Sequence, residues 1–183
     1  MQETAFLRGA FLPKKFFIAS GSATSVTSPL NAFDAAIAKA GIGQCNLVNV
    51  SSILPPDAEE IKNTPIMPGT ITFAVMARMD GDPGETIGAG IGWMSGLSSR
   101  RERYGLVAEA HGYKDKEAIE KELRSKISEM AKIRDLKIEK MDTRAEFIEV
   151  PKGKYGTVIV ALVYAPWTEE ESKRPLPNNH KEN

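Results

Sequence analysis

The chain is poor in the residues that build disulfides and metal sites: it has one cysteine, Cys45, and two histidines, His111 and His180. A lone thiol forbids an intrachain disulfide and suits a reducing compartment, so a cytoplasmic setting is expected. Two separated histidines do not make a histidine-built metal site, and no metal is expected. Charge of one sign is lacking too. The 24 Lys plus Arg balance 24 Asp plus Glu, which leaves no global field to attract nucleic acid or an anionic membrane. Nor is there a long apolar run. The longest, Val158 to Ala165, falls far short of the roughly 20 residues that span a bilayer. Met1 to Phe17 mixes charges into its apolar residues and has no signal-peptide core.

What is present is ordinary for a globular protein: 183 residues, 42% hydrophobic and 26% charged. That length suits one well-packed domain, placed here at residues 1–165, with a polar tail over 166–183 that is expected to be unstructured.

Two helices are expected. Ser28 is an N-cap, Pro29 a first helical residue and Gly41 a terminator, with Leu30, Phe33, Ile37 and Ala40 forming a core-facing stripe. Asp34 adjoins that stripe. The second helix runs from Lys116 to about Arg134, capped by Asp115, with Ile119, Leu123, Ile127 and Met130 as its buried side. Strands are expected at 15–19, 46–50, 70–77, 87–93, 104–110, 147–150 and 155–164, with Ser20 to Ser28 as a loop. The last strand is almost wholly apolar and therefore central. Strands in a run with two widely spaced amphipathic helices give an α+β domain whose helices cover sheet faces.

One segment carries unusual chemistry: Asn46-Leu47-Val48-Asn49-Val50-Ser51-Ser52-Ile53-Leu54-Pro55-Pro56. Two adjacent serines end a strand, and a double proline then forbids its continuation. Paired serines are commonplace, and their plain reading is two hydroxyls capping free backbone groups. Other candidates are weaker. Gly88-Ala89-Gly90-Ile91-Gly92 precedes no helix N-terminus and has no Lys-Ser/Thr pair, so glycines that permit close packing explain it better than a phosphate loop. Cys45 is read as a small buried residue, His111 as a surface histidine, and Arg100 to Arg103 as a solvated turn.

The serine segment, together with Pro29-Leu30-Asn31-Ala32-Phe33-Asp34, Ala40-Gly41-Ile42-Gly43, Asp82-Pro83-Gly84-Glu85-Thr86-Ile87, Gly105-Leu106-Val107-Ala108-Glu109 and Met130-Ala131-Lys132-Ile133, resembles the pyruvoyl-dependent arginine decarboxylases. The resemblance covers all but the first dozen residues and the tail. It implies a layered α/β sandwich of mainly antiparallel sheets, assembled as a trimer or a dimer of trimers with sites at subunit interfaces. It also implies self-cleavage between Ser51 and Ser52 into 1–51 and 52–183. The Ser52 hydroxyl would attack the Ser51 carbonyl, and elimination and hydrolysis would leave a covalent pyruvoyl group at position 52. That cofactor forms a Schiff base with arginine and accepts the electrons left when CO₂ departs, giving agmatine.

The same resemblance assigns roles. Asn46 would stabilise the oxyanion during cleavage, worth about 10²–10³ in rate. Glu109 would return a proton to the substrate carbon, its apolar neighbours raising its pKa. Asp34 would pair with the guanidinium, with Leu30 and Ile53 along the methylene stem. If 46–52 is extended, about 3.3 Å per residue puts Asn46 about 20 Å from Ser52. Either the chain bends sharply after Val50, or Asn46 serves a neighbouring subunit. Two alternatives differ in function: a pyruvoyl decarboxylase of another cationic amino acid, and an uncleaved trimeric relative that only binds or regulates.

Overall fold

The structure is a computed structural model, and it describes residues 11–166. The tail expected after Pro166 and the first ten residues lie outside the described residues. Nine strands and two helices follow the order β1 (Lys15–Ser25), α1 (Pro29–Lys39), β2 (Asn46–Asn49), β3 (Ile53–Leu54), β4 (Glu59–Glu60), β5 (Ile71–Gly81), β6 (Thr86–Ser98), β7 (Arg103–Gly112), α2 (Lys116–Ile133), β8 (Leu136–Glu149) and β9 (Tyr155–Tyr164). They form a five-stranded sheet ordered β2-β5-β9-β1-β4 and a four-stranded sheet ordered β3-β7-β6-β8. Pairing is antiparallel except where the short strands β2 and β4 join β5 and β1. β9 is central in its sheet, as its apolar run requires.

Three hydrophobic clusters fix the layering. Val75, Val158, Val160 and Leu162 of the first sheet meet Ile87, Ile91, Trp93 and Val107 of the second. The outer face of the first sheet packs on Ala36 of α1, and the outer face of the second packs on Ile119, Leu123 and Ile127 of α2. The order is therefore α1, sheet, sheet, α2, the expected α+β sandwich.

Glycines set the spacing of the outer layers. A Cβ on Gly90 would lie 2.6 Å from Ile119 Cγ2 and 2.9 Å from Leu123 Cδ1, and one on Gly92 would lie 2.6 Å from Ile127 Cδ1. The Gly88-Gly90-Gly92 row is thus a seat for α2. On the other side, a Cβ on Gly21 would meet the Ala36 carbonyl oxygen at 2.3 Å.

That close approach revises the α1 stripe. Its buried residues are Ala32 and Ala36, with Ala40 just beyond, while Leu30 is 71% exposed. Only alanine fits so near the sheet; Phe33 and Ile37 lie half-buried at the flanks, with Arg78 stacked 3.8 Å over the Phe33 ring. The α2 stripe is as expected, with Met130 only partly covered. The Ser28 and Asp115 side chains cap the helices by accepting from the N–H groups of Asn31 and Ala118. Cys45 is half-buried rather than buried.

Two strands run further than expected. β1 continues through Ser25 because Gly21 and Ala23 are buried and all of 16–25 pairs with β9. β8 begins at Leu136, not Phe147, and pairs along the whole of β6.

Candidate active site

The serine pair occupies the step where the second sheet loses a strand. β3 is two residues long and covers only Gly105 and Leu106 of β7. From Val107 onward β7 is the sheet edge, and Ser52 sits beside it. Four hydrogen bonds pin this segment. Val50 N–H donates to Ala74 O at 3.0 Å, Val107 N–H to Ser52 O at 3.0 Å, Ile53 N–H to Ser51 O at 3.0 Å, and Tyr164 Oη–H to Ile53 O at 2.8 Å. The bond from Ile53 back to Ser51 skips one residue, and Ser52 has no positive φ, so Ser52 is the centre of an inverse γ-turn. Burial pushes the Tyr164 hydroxyl up to about 12, so it remains a donor at any ordinary pH.

The two serines face different cavities. Ser52 lines one of about 330 Å³, with Val107, Ala108 and Glu109 of β7 and Lys126, Glu129, Met130 and Ile133 of α2. Ser51 lines another of about 290 Å³, with Ile53, Phe73 and Tyr164 among its walls. The peptide joining them runs between two hollows, which leaves room at both of its ends.

Glu109 as a whole residue is exposed, yet its surroundings hold its pKa above the ordinary carboxylate value. Burial is the leading cause, and the charges of His111 and Lys126 pull the other way. Lys126 Nζ donates to Glu109 O at 2.9 Å and pairs with Glu122 at 2.6 Å; Glu122 also meets Lys114 at 2.5 Å. These two lysines hold the Glu122 carboxyl below its usual range. Lys126, Glu129, Met130 and Ile133 share one side of α2 through three- and four-residue spacing, and the glycine seat of β6 brings that side over the edge of β7.

The other expected site residues lie elsewhere in the chain. Ile53 faces the Ser51 cavity. β2 is extended over Asn46–Asn49, and Asn46 Nδ2 donates to Gly69 O at 2.9 Å at the far end of that strand from the serines. Asp34 and Leu30 are exposed on α1, the outer layer opposite α2. Lys126 and Glu129 are not evident from the sequence, because charged residues on a helix surface carry no distinctive signal. The three- and four-residue spacing that runs through Lys126, Glu129, Met130 and Ile133 is the available clue. Among the described residues there is no group of three His, Cys, Asp or Glu able to hold a metal, and no helix long and apolar enough to cross a membrane.

A covalent pyruvoyl group at residue 52 fits these surroundings. Its methyl and ketone would open into the cavity Ser52 already lines, and the adjoining residue 52 carbonyl is already held by Val107 N–H.

A serine at a backbone turn and a carboxyl of raised pKa thus line one cavity, an arrangement with the groups that proton transfer needs. The chain belongs to the pyruvoyl-dependent arginine decarboxylase family, whose model matches residues 15–169. It is 34% identical over 154 residues to the pyruvoyl-dependent arginine decarboxylase of Methanopyrus kandleri, covering 84% of this chain and 97% of that protein. To the enzyme of the same name from Pyrococcus abyssi it is 38% identical over 160 residues, covering 85% and 97%. With that of Methanocaldococcus jannaschii it shares 38% over 123 residues, covering 67% and 70%.

Proposed function

We propose that the chain cuts itself between Ser51 and Ser52, carries the pyruvoyl group so formed at residue 52, and converts L-arginine to agmatine and CO₂. The observation that carries this reading is that Ser52 and Glu109 line one cavity.

For cleavage, Ser52 Oγ attacks the Ser51 carbonyl carbon. The hydroxyl proton passes to the Ser52 nitrogen, the C–N bond breaks and an ester joins the two residues. Loss of the Ser52 α-proton then breaks the Cβ–Oγ bond, Ser51 leaves as a carboxylate, and water releases ammonia from the dehydroalanine that remains. The products are 1–51 and a blocked 52–183.

When present, the pyruvoyl group supplies a ketone to condense with the substrate amine and a carbonyl to accept the electron pair freed as CO₂ leaves. The chain's residues do the rest. Glu109, whose pKa burial raises, returns a proton to the substrate carbon. Lys126 and Glu129 give the cavity both signs of charge, as an amino acid bearing both signs requires. Val107, Ala108, Met130 and Ile133 supply the apolar wall that displaces water.

Asp34 reads the guanidinium, with Leu30 and Ile53 against its stem, and we assign the α1 groups to a neighbouring copy in a trimer. Asp34 and Leu30 lie on the layer opposite the cavity, while Leu30, Ile53 and Ile133 are 71%, 41% and 76% exposed and available to an interface. We place the enzyme in the cytoplasm on the strength of its single cysteine.

The test is a denaturing gel of purified protein with an agmatine assay. Two fragments, a borohydride-sensitive block on the larger and agmatine from arginine in preference to lysine, ornithine or histidine support the reading. A single uncut chain without activity would instead mark a relative that only binds.

A further inference from the structure

The amide of Ser51 is a poor electrophile, and its oxygen gains a full charge as Ser52 Oγ adds. A hydrogen-bond donor already aimed at that oxygen lowers the barrier, because it need not reorganise as charge develops. In this structure the donor at that oxygen belongs to the main chain: Ile53 N–H, at 3.0 Å.

Its aim follows from the next strand. A trans peptide points its C=O and N–H in opposite directions. The Ser52–Ile53 peptide has its oxygen fixed by Val107 N–H at 3.0 Å on one side, so its N–H is turned back toward Ser51 O on the other. The following carbonyl, of Ile53, is fixed by the Tyr164 hydroxyl at 2.8 Å. Asn46, by contrast, turns one side-chain N–H to Gly69 O at the far end of β2 from the serines.

We propose that Ile53 N–H is the oxyanion donor of backbone cleavage, with Val107 N–H and the Tyr164 hydroxyl as the groups that hold it in position. The γ-turn contributes twice: it brings the donor to Ser51 O and it bends the chain at the attacking serine. The inference rests on the reading that the chain cuts itself.

The test is made on the full chain, freshly translated in a cell-free system, following the two fragments by intact mass. Replacing Ile53 by its α-hydroxy analogue keeps the side chain and removes the N–H. Cleavage is expected to slow about a hundredfold, and the Ser51–Ser52 ester, read after hydroxylamine as the 1–51 fragment and so distinct by mass from the 1–52 fragment that the introduced ester releases, to fall with it, because the donor acts before the ester forms. Tyr164→Phe keeps the N–H and loosens its aim, and is expected to slow cleavage about fivefold with the same fall in ester. Folding is compared in a Ser52→Ala background, where the chain stays whole. If the α-hydroxy chain does not fold, Tyr164→Phe decides. Cleavage at the wild-type rate, or slower cleavage with more ester, overturns the proposal, since more ester means that elimination was hindered instead. A wild-type chain that never cuts overturns the underlying reading and is distinguishable from either result.

Discussion

Lys126 donates from Nζ to the main-chain oxygen of Glu109 at 2.9 Å, and so sets a cation beside a carboxyl whose pKa burial has raised. The two effects oppose each other, and burial wins. The balance is one that substitutions can read from either side.

Glu109→Gln removes the titration and leaves the shape. Decarboxylation should fall by about 10²–10⁴, measured as agmatine released per cleaved chain. Its effect on stability has a defined sign. A carboxyl whose folded pKa is raised loses stability as pH climbs from the unfolded value through the folded one. Glu109→Gln should therefore match the parent below about pH 4 and exceed it at neutral pH. Thermal melts across that range check this, and a variant less stable than the parent only at neutral pH would oppose it.

Lys126→Met takes away a charge that lowers the Glu109 pKa. The carboxyl should then titrate higher, and the limb of the pH–rate profile on which activity falls with rising pH should move to higher pH. The measurement is kcat against pH. A downward move would mean that Lys126 acts on some other group.

Gly90→Val tests the seat of α2. The new Cβ would face Ile119 and Leu123 side chains and also the Arg144 carbonyl oxygen at 2.9 Å, which cannot swing aside. A loss of about 1–3 kcal/mol is expected in urea unfolding, with slower decarboxylation, because α2 carries one wall of the cavity. Leu123→Ala, a buried truncation in the same seam, should cost about 2–5 kcal/mol.

Asp34 and Ser52 can be separated onto different chains. Asp34→Ala and Ser52→Ala proteins should each be inactive, and hybrid assemblies mixed from the two should recover part of the activity. Some of their sites would combine an intact serine with a neighbour's intact Asp34. No recovery in verified hybrids would argue that both act within one chain. The same experiment with Asn46→Ala places the third residue.

The sheets were legible where apolar residues alternate and obscure where pairing overrides composition. Tyr155–Tyr164 was recognisable as a central strand, and Lys116 to Arg134 as an amphipathic helix. Ser20 to Ser25 reads as a loop by its small polar residues, yet six consecutive pairs with β9 carry it as a strand. The charged start of β8 conceals its alternation, since the register shift opposite Ser95 and Gly96 leaves Glu139 out of step. Within the site, Ser52 and Glu109 came from resemblance, not from spacing: nothing local indicates that strands so distant in the chain meet at one edge. The N–H groups of Ile53 and Val107 have no side-chain signature at all, because any residue but proline supplies one. Only the fold reveals their direction.

The most direct check is an intact-mass measurement on freshly purified protein under denaturing conditions. The account expects two species: residues 1–51 ending in a free carboxylate, and residues 52–183 lighter by one ammonia than simple hydrolysis would leave. One species of full length with an unmodified serine at position 52 would contradict it.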